Sequence, residues 1–185
     1  MSARLSLGLA GLAALLLAAP AESAGFRFDA SNSELAFTGD WSGEPVPGKF
    51  ARFEGRAEFD ASAPVKTRFR TAIEVASLDT DDEQRDEAMR GPDFFDTEAH
   101  PRAIWESAGD CTAGGAALSC PGQLTLKGVT KPVPLTITPA ADGGGVEGRA
   151  ELSRTAFGVG TGDWADTDTI ADQVAIRFTL RWRAE

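Results

Sequence analysis

Short segments that alternate apolar and polar residues recur along most of this chain, and their apolar positions mix large side chains with glycine and alanine. In Phe53-Glu54-Gly55-Arg56-Ala57-Glu58-Phe59 one face reads Phe, Gly, Ala, Phe and the other Glu, Arg, Glu. A period of two with one dry and one wet side is the mark of a half-buried strand. Similar segments fall at 33–40, 49–60, 65–78, 102–111, 117–127, 133–138, 146–153 and 173–183, with a shorter one at 26–29. No helix alternates with them, so the pattern predicts an all-β antiparallel barrel or sandwich. Several segments are long enough to leave adhesive edges in an open sheet, which favours closure into a barrel of about eight strands. A barrel of that size is either filled by its own side chains or holds one small ligand.

One segment breaks the alternation. Thr80 to Pro92 reads as a single short helix, with Thr80 and Glu83 at capping-box spacing, acids in the first turn, Arg90 in the last, and Gly91-Pro92 as a stop. Phe94-Phe95 follow at once and either plug one end of the barrel or line the mouth of its cavity.

Phasing the strands from Phe53 gives the inward set. It comprises Leu35 and Phe37; Phe53, Gly55, Ala57 and Phe59; Phe69, Ile73 and Val75; Leu124 and Leu126; Val133, Leu135 and Ile137; Val146, Gly148, Ala150 and Leu152; and Val174, Ile176, Phe178, Leu180 and Trp182. None is charged, whereas the outward set Glu54, Arg56, Glu58, Arg68, Arg70 and Glu74 mixes signs as a solvated wall should. Glycine and alanine on the inner face leave volume for a ligand, although a packed core fits the same composition and the glycines also serve as bends. A cavity walled by Phe, Leu, Val, Ile and Ala suits a hydrocarbon, because nothing in it offsets the desolvation of polar groups. At about 0.8 kcal/mol per methylene, burying some ten carbons gives a gross gain near 8 kcal/mol.

Residues 1–24 carry Arg4, an apolar run and small residues toward their end, the form of a secretory signal peptide cleaved after Ala21 or Ala24. The run is too short to span hydrocarbon and nothing later approaches the roughly twenty residues needed, so no membrane span is expected and residues 25–185 are expected to form one exported domain. The two cysteines, Cys111 and Cys120, flank a Gly-Gly turn signal and are expected to form a hairpin disulfide in an oxidising compartment, two buried thiols being the alternative. A net charge of −10 makes nucleic acid a poor partner.

Enzymatic chemistry finds little purchase. The single histidine, His100, sits before Pro101 in a loop, and no nucleophile elbow, phosphate loop or dinucleotide fingerprint is present. The acidic run 162–172 lacks the glycine and bidentate glutamate of a calcium loop and reads as a solvated loop, and one histidine with a paired cysteine set argues against zinc. No catalytic residue, metal or cofactor is expected.

Five segments carry a family resemblance: Phe50-Ala-Arg-Phe-Glu-Gly; Ser77-Leu78-Asp79-Thr80 with Arg85-Asp86; Phe94-Phe95-Asp96 before His100-Pro101; Gly122-Gln-Leu-Thr-Leu-Lys-Gly-Val-Thr-Lys-Pro-Val133; and Arg154-Thr-Ala-Phe-Gly-Val159. In that order and over nearly the whole of 25–185 they resemble the YceI-like family of bacterial periplasmic polyisoprenoid-binding proteins. The resemblance implies a lipocalin-like barrel whose lumen takes a long isoprenoid tail, of quinone or polyprenyl phosphate type. Candidate head-group contacts are Phe94, Phe95 and Arg154 at the mouth, with Lys127 and Lys131 beside the Gly128-Val129-Thr130 turn. For Arg154 the structural alternative is an ion pair with a carboxylate at the rim. A carrier without covalent chemistry is the leading reading. A lipid-modifying enzyme in the same cavity and an accessory protein handing quinone to a membrane redox partner are the alternatives, and a homodimer is left open.

Overall fold

The computed structural model describes residues 24–60 and 62–184. The leader expected over 1–24 lies outside the described residues except for Ala24, where the first strand begins. The elements are β1 (Ala24–Phe28), β2 (Glu34–Trp41), β3 (Glu44–Phe50), β4 (Phe53–Phe59), β5 (Arg68–Glu74), β6 (Leu78–Asp79), α1 (Glu83–Arg90), β7 (Arg102–Ser107), β8 (Thr112–Gly114), β9 (Ala117–Cys120), β10 (Gly122–Leu126), β11 (Val129–Pro132), β12 (Leu135–Pro139), β13 (Gly145–Ser153) and β14 (Gln173–Ala184). All the strands join one antiparallel sheet.

The sheet curls into a barrel. β14 pairs with β13 along one edge and, along the other, first with β2 and then with β1. From β1 the pairing runs through β4, β5 and β7 to β10, and from β13 through β12 to β9. Only Pro121 separates β9 from β10, so the two arms meet in a single bent run of chain. The all-β, lipocalin-like antiparallel architecture predicted from the alternation is therefore present, but as fourteen strand segments rather than about eight unbroken strands. Winding strands round a narrow barrel requires bends. They fall at the 3-10 turn Ala30–Asn32 between β1 and β2, at the 3-10 turn Val75–Ser77 between β5 and β6, and at Pro121.

Strand β3 extends over 44–48, outside the segments read from the alternation, although Pro45 and Pro47 remove two backbone donors. It pairs with β2 along its length but meets β6 only at Lys49 and Phe50, leaving 44–48 as an edge, where proline is tolerated. Helix α1 starts later than the capping-box spacing suggests. Its N-cap is Asp82, whose carboxylate accepts from the Arg85 N–H, and Thr80 instead gives both its N–H and its hydroxyl to the buried Asp86 carboxylate, at 3.0 and 2.6 Å. Gly91 ends the helix as expected.

The two ends of the barrel are filled differently. At the end away from α1, the rings of Phe26, Phe59 and Phe69 lie 5.7, 5.5 and 6.3 Å from Trp182, whose indole N–H reaches the Gly143 carbonyl. The expected disulfide, Cys111–Cys120, closes the hairpin of β8 and β9 at the same end. Inward glycines do not leave holes here. A Cβ on Gly148 would stand 2.3 Å from the Phe178 ring and 2.9 Å from the Thr136 carbonyl, and one on Gly55 would stand 2.4 Å from Phe28. Rings from neighbouring strands lie flat over these backbones and occupy the space a side chain would take. Gly148→Val should cost about 1–3 kcal/mol by overpacking, read as a lower midpoint in urea with an unchanged slope. An unchanged midpoint would mean that the Phe178 ring has room to withdraw.

Candidate functional site

The hollow lies at the other end, beneath α1. A cavity of about 280 Å³ is enclosed by Leu35, Phe37 and Gly39 of β2, Val46 and Phe50 of β3, and Phe53, Thr71 and Ile73 of β4 and β5. Ala103 and Trp105 of β7, Leu124 and Leu126 of β10, and Val133 and Leu135 carry the wall on. Ala150 and Leu152 of β13 and Val174, Ile176, Phe178 and Leu180 of β14 complete it. Val75, Met89, Phe94 and Phe95 close it from the helix side, and Val159 and Ile170 from the loop between β13 and β14.

Most of the inward residues phased from the sequence meet at this cavity. Gly55, Ala57, Phe59, Phe69, Ile137, Val146, Gly148 and Trp182 do not line it and lie instead toward the filled end. Sequence phasing cannot distinguish them, since alternation tells inside from outside but not height along the barrel. Lining residues absent from the phasing include Trp41, Val46, Phe50, Met89, Trp105 and Ile170. Val46-Pro-Gly48-Lys-Phe50 does alternate, and the prolines hid it. Trp105 lies across Gly122, where a Cβ would meet its ring at 1.9 Å, and its indole N–H donates to Val133 at 2.9 Å.

Phe94 and Phe95 are both buried and both line the cavity. Phe95 packs edge-on against Phe50, and Phe94 against Trp164, which in turn meets Trp41. Trp41 bridges to Ile170, while Ser42 N–H bonds the Thr169 carbonyl and Ala171 N–H that of Asp40. The tip of the β2–β3 hairpin and the 155–172 loop thus form one rim. The acidic run expected to be a solvated loop is exposed at most of its residues, yet it is fastened from beneath.

Arg154 is the fastening. Its side chain is 3 % exposed, and all five guanidinium N–H groups donate to carbonyls: Nε to Ala171 (3.2 Å), one Nη to Val159 and Gly160 (2.9 and 3.0 Å), the other to Asp166 and Ile170 (3.3 and 2.7 Å). Neither role considered from the sequence describes this geometry: no donor remains for a head group, and the partners are peptide oxygens, not a rim carboxylate. Gly160, with φ +74°, brings its backbone to a distance at which a Cβ would stand 2.3 Å from the guanidinium. Burial lowers the Arg154 pKa from its ordinary value, opposed by the charges of Asp172 and Asp166. Lys127 is likewise engaged, its ammonium 2.7 Å from each of the Pro92 and Gly158 carbonyls. Asp172 accepts from the Thr155 hydroxyl and N–H and from Ser153, which hold its carboxyl below the usual range.

Arg85, Asp40 and Thr71 are the remaining polar residues on the wall. Arg85 donates from Nε to the Thr80 hydroxyl and from Nη to its carbonyl, and Asp40 accepts from Gly43 N–H. Among the described residues no cluster of His, Cys, Asp and Glu could hold a metal, and no helix is long and apolar enough to cross a membrane.

The model of the YceI-like domain fits residues 26–182. This chain belongs to the YceI-like family. A UPF0312 protein of Photorhabdus laumondii is 36% identical over 135 residues, covering 69% of this chain and 67% of that protein. One from Azotobacter vinelandii is 32% identical over 120 residues, or 60% of this chain, and the match spans somewhat less than two thirds of that relative, 62%. Among solved structures, BcnA of Burkholderia cenocepacia superposes with a TM-score of 0.78 at 32% identity, covering 83% of this chain and 98% of that one. A domain from Saccharophagus degradans described as polyisoprenoid-binding has the same fold, with a TM-score of 0.67 at 16% identity over 88% of this chain and 99% of its own.

The motifs that carry the YceI-like resemblance have structural work in this chain. Thr80, Arg85 and Asp86 lock α1 to β6, and Arg154 with Phe157 and Gly158 forms the turn that anchors the rim loop. Arg154→Met should leave several carbonyls without donors, cost about 3 kcal/mol or more, and speed amide exchange selectively over 159–171. Unchanged exchange there would show that the loop is held by other contacts. Because the Asp172 carboxyl is stabilised in its charged form, its contribution is complete above the unfolded-state pKa and disappears as pH falls through the lower folded value. Acid below about pH 4 should therefore loosen 153–172.

Proposed function

We propose that this protein is an exported binding protein that holds the isoprenoid tail of a lipid with an uncharged head group, of quinone type, and carries it through the periplasm without covalent chemistry. The observation that supports the choice of head group is that Arg154, the buried cation on the cavity wall, directs all its donors at protein oxygens, while Arg85 and Lys127 are each held by two such bonds. A polyprenyl phosphate would bring a desolvated anion to a mouth with no donors arranged for it. An uncharged ring bears no such penalty, and the gain comes from tail burial.

Membership of the YceI-like family and the polyisoprenoid-binding description of its Saccharophagus degradans neighbour support the ligand class. The disulfide supports an oxidising compartment. Turnover has less support: the described lining residues include no nucleophile beside a base. At about 280 Å³ the chamber encloses part of a long tail with its side chains at rest, and Met89, unbranched and adaptable, is the lining group best able to make way for more.

Ala150 faces the chamber from mid-strand and is buried. Ala150→Trp should abolish uptake of an isoprenoid quinone while far-ultraviolet circular dichroism stays that of the parent, at a stability cost of about 1–3 kcal/mol. In the parent chain, the quinone should bind tighter than a polyprenyl phosphate of equal tail length by about tenfold or more. Equal binding would refute the head-group assignment, and uptake retained by the tryptophan variant would place the tail elsewhere.

A further inference from the structure

We propose that the rim of the cavity is a docking surface for a basic protein that exchanges the lipid with this one; the proposal rests on the reading of the cavity as a lipid site. Trp41 is the one large hydrophobic residue exposed among the described residues, at 43 %, and it stands on the rim. It lines the cavity while its remaining surface faces water, so a partner seated here would cover apolar surface and meet the ligand's exit at once.

Charge identifies the partner. The three segments that the rim contacts hold together, 40–44, 91–99 and 155–172, contain no lysine or arginine. The 91–99 segment is joined to the others by Gly160 and Thr161 N–H groups bonded to the Asp93 carbonyl and by the Phe94–Trp164 contact. Exposed on them are Glu44, Asp93, Glu98, Asp163, Asp166 and Asp168, and among the described residues none is within ion-pair distance of a cation. On the outer wall carboxylates are interspersed with arginine and lysine, and Glu54, Glu74, Glu106 and Asp110 are paired with them. Unneutralised carboxylates around an exposed indole complement a surface rich in lysine and arginine. The same charges repel an anionic leaflet, so direct seating on such a membrane is disfavoured and transfer through a basic protein takes its place.

A photo-crosslinking amino acid placed at Thr167, on the exposed rim loop, in cells that make the full chain tests this, with Ala113 on the hairpin at the filled end as the control site. The expected result is a protein product from the Thr167 site only, of net basic surface once identified by mass spectrometry. That product should fall about tenfold or more when Glu44→Gln, Asp163→Asn and Asp168→Asn are combined, side chains without a bonding partner among the described residues and outside the cavity lining, while lipid loading of the variant stays that of the parent. Lipid products alone, no product, a protein product that persists in the triple variant, or the same product from Ala113 would each overturn the docking surface. A chain that carries no isoprenoid yet gives the charge-dependent product would overturn the lipid reading and leave the docking surface standing.

Discussion

A buried guanidinium that points all its donors at peptide oxygens determines where this barrel is open. The 155–172 loop buries Phe157 and Val159 in the core, but most of its stretch from 161 to 169 is exposed and has little packing of its own to hold it down. Arg154 supplies what the loop lacks: its five bonds gather carbonyls from Val159 to Ala171 over one side of the chamber and place Val159 and Ile170 in the wall. Hydrogen bonds to a charged donor in a desolvated position are among the stronger ones available to a protein. The rim, the exposed Trp41 and the acidic surface around it all follow from that anchoring.

The filled end provides the contrast that gives the chamber meaning. Trp182 and three phenylalanines occupy the barrel where β1 and the end of β14 meet, and rings lie over Gly55 and Gly148, while the apolar chamber opens beneath α1. The fold was legible in the sequence to this depth: alternation separated inner from outer faces, and the helix, its glycine stop and the disulfide could be read from local chemistry. What could not be read is vertical position. Gly55 and Ala150 look alike as small inward residues, yet one lies under Phe28 and the other faces the chamber, because the difference depends on which strand places an aromatic ring opposite.

Arg154 teaches the same lesson about charge. A cation near a predicted mouth invites an anion, and the sequence offers no sign that its partners are carbonyls five to seventeen residues later in the chain. With the cations engaged and the carboxylates of the rim exposed, electrostatics at the mouth act against an anionic head group and for a cationic neighbour. In the proposed reading apolar burial and surface charge divide the work, the chamber taking a hydrocarbon tail and the rim a basic partner.

Native mass spectrometry of the protein isolated gently from the cells that produce it, with organic extraction and identification of any released molecule, tests the central claim most directly. The account predicts one isoprenoid lipid with an uncharged head group per chain. A protein that emerges empty and takes up no added isoprenoid, or that carries a polyprenyl phosphate in the same stoichiometry, would contradict it.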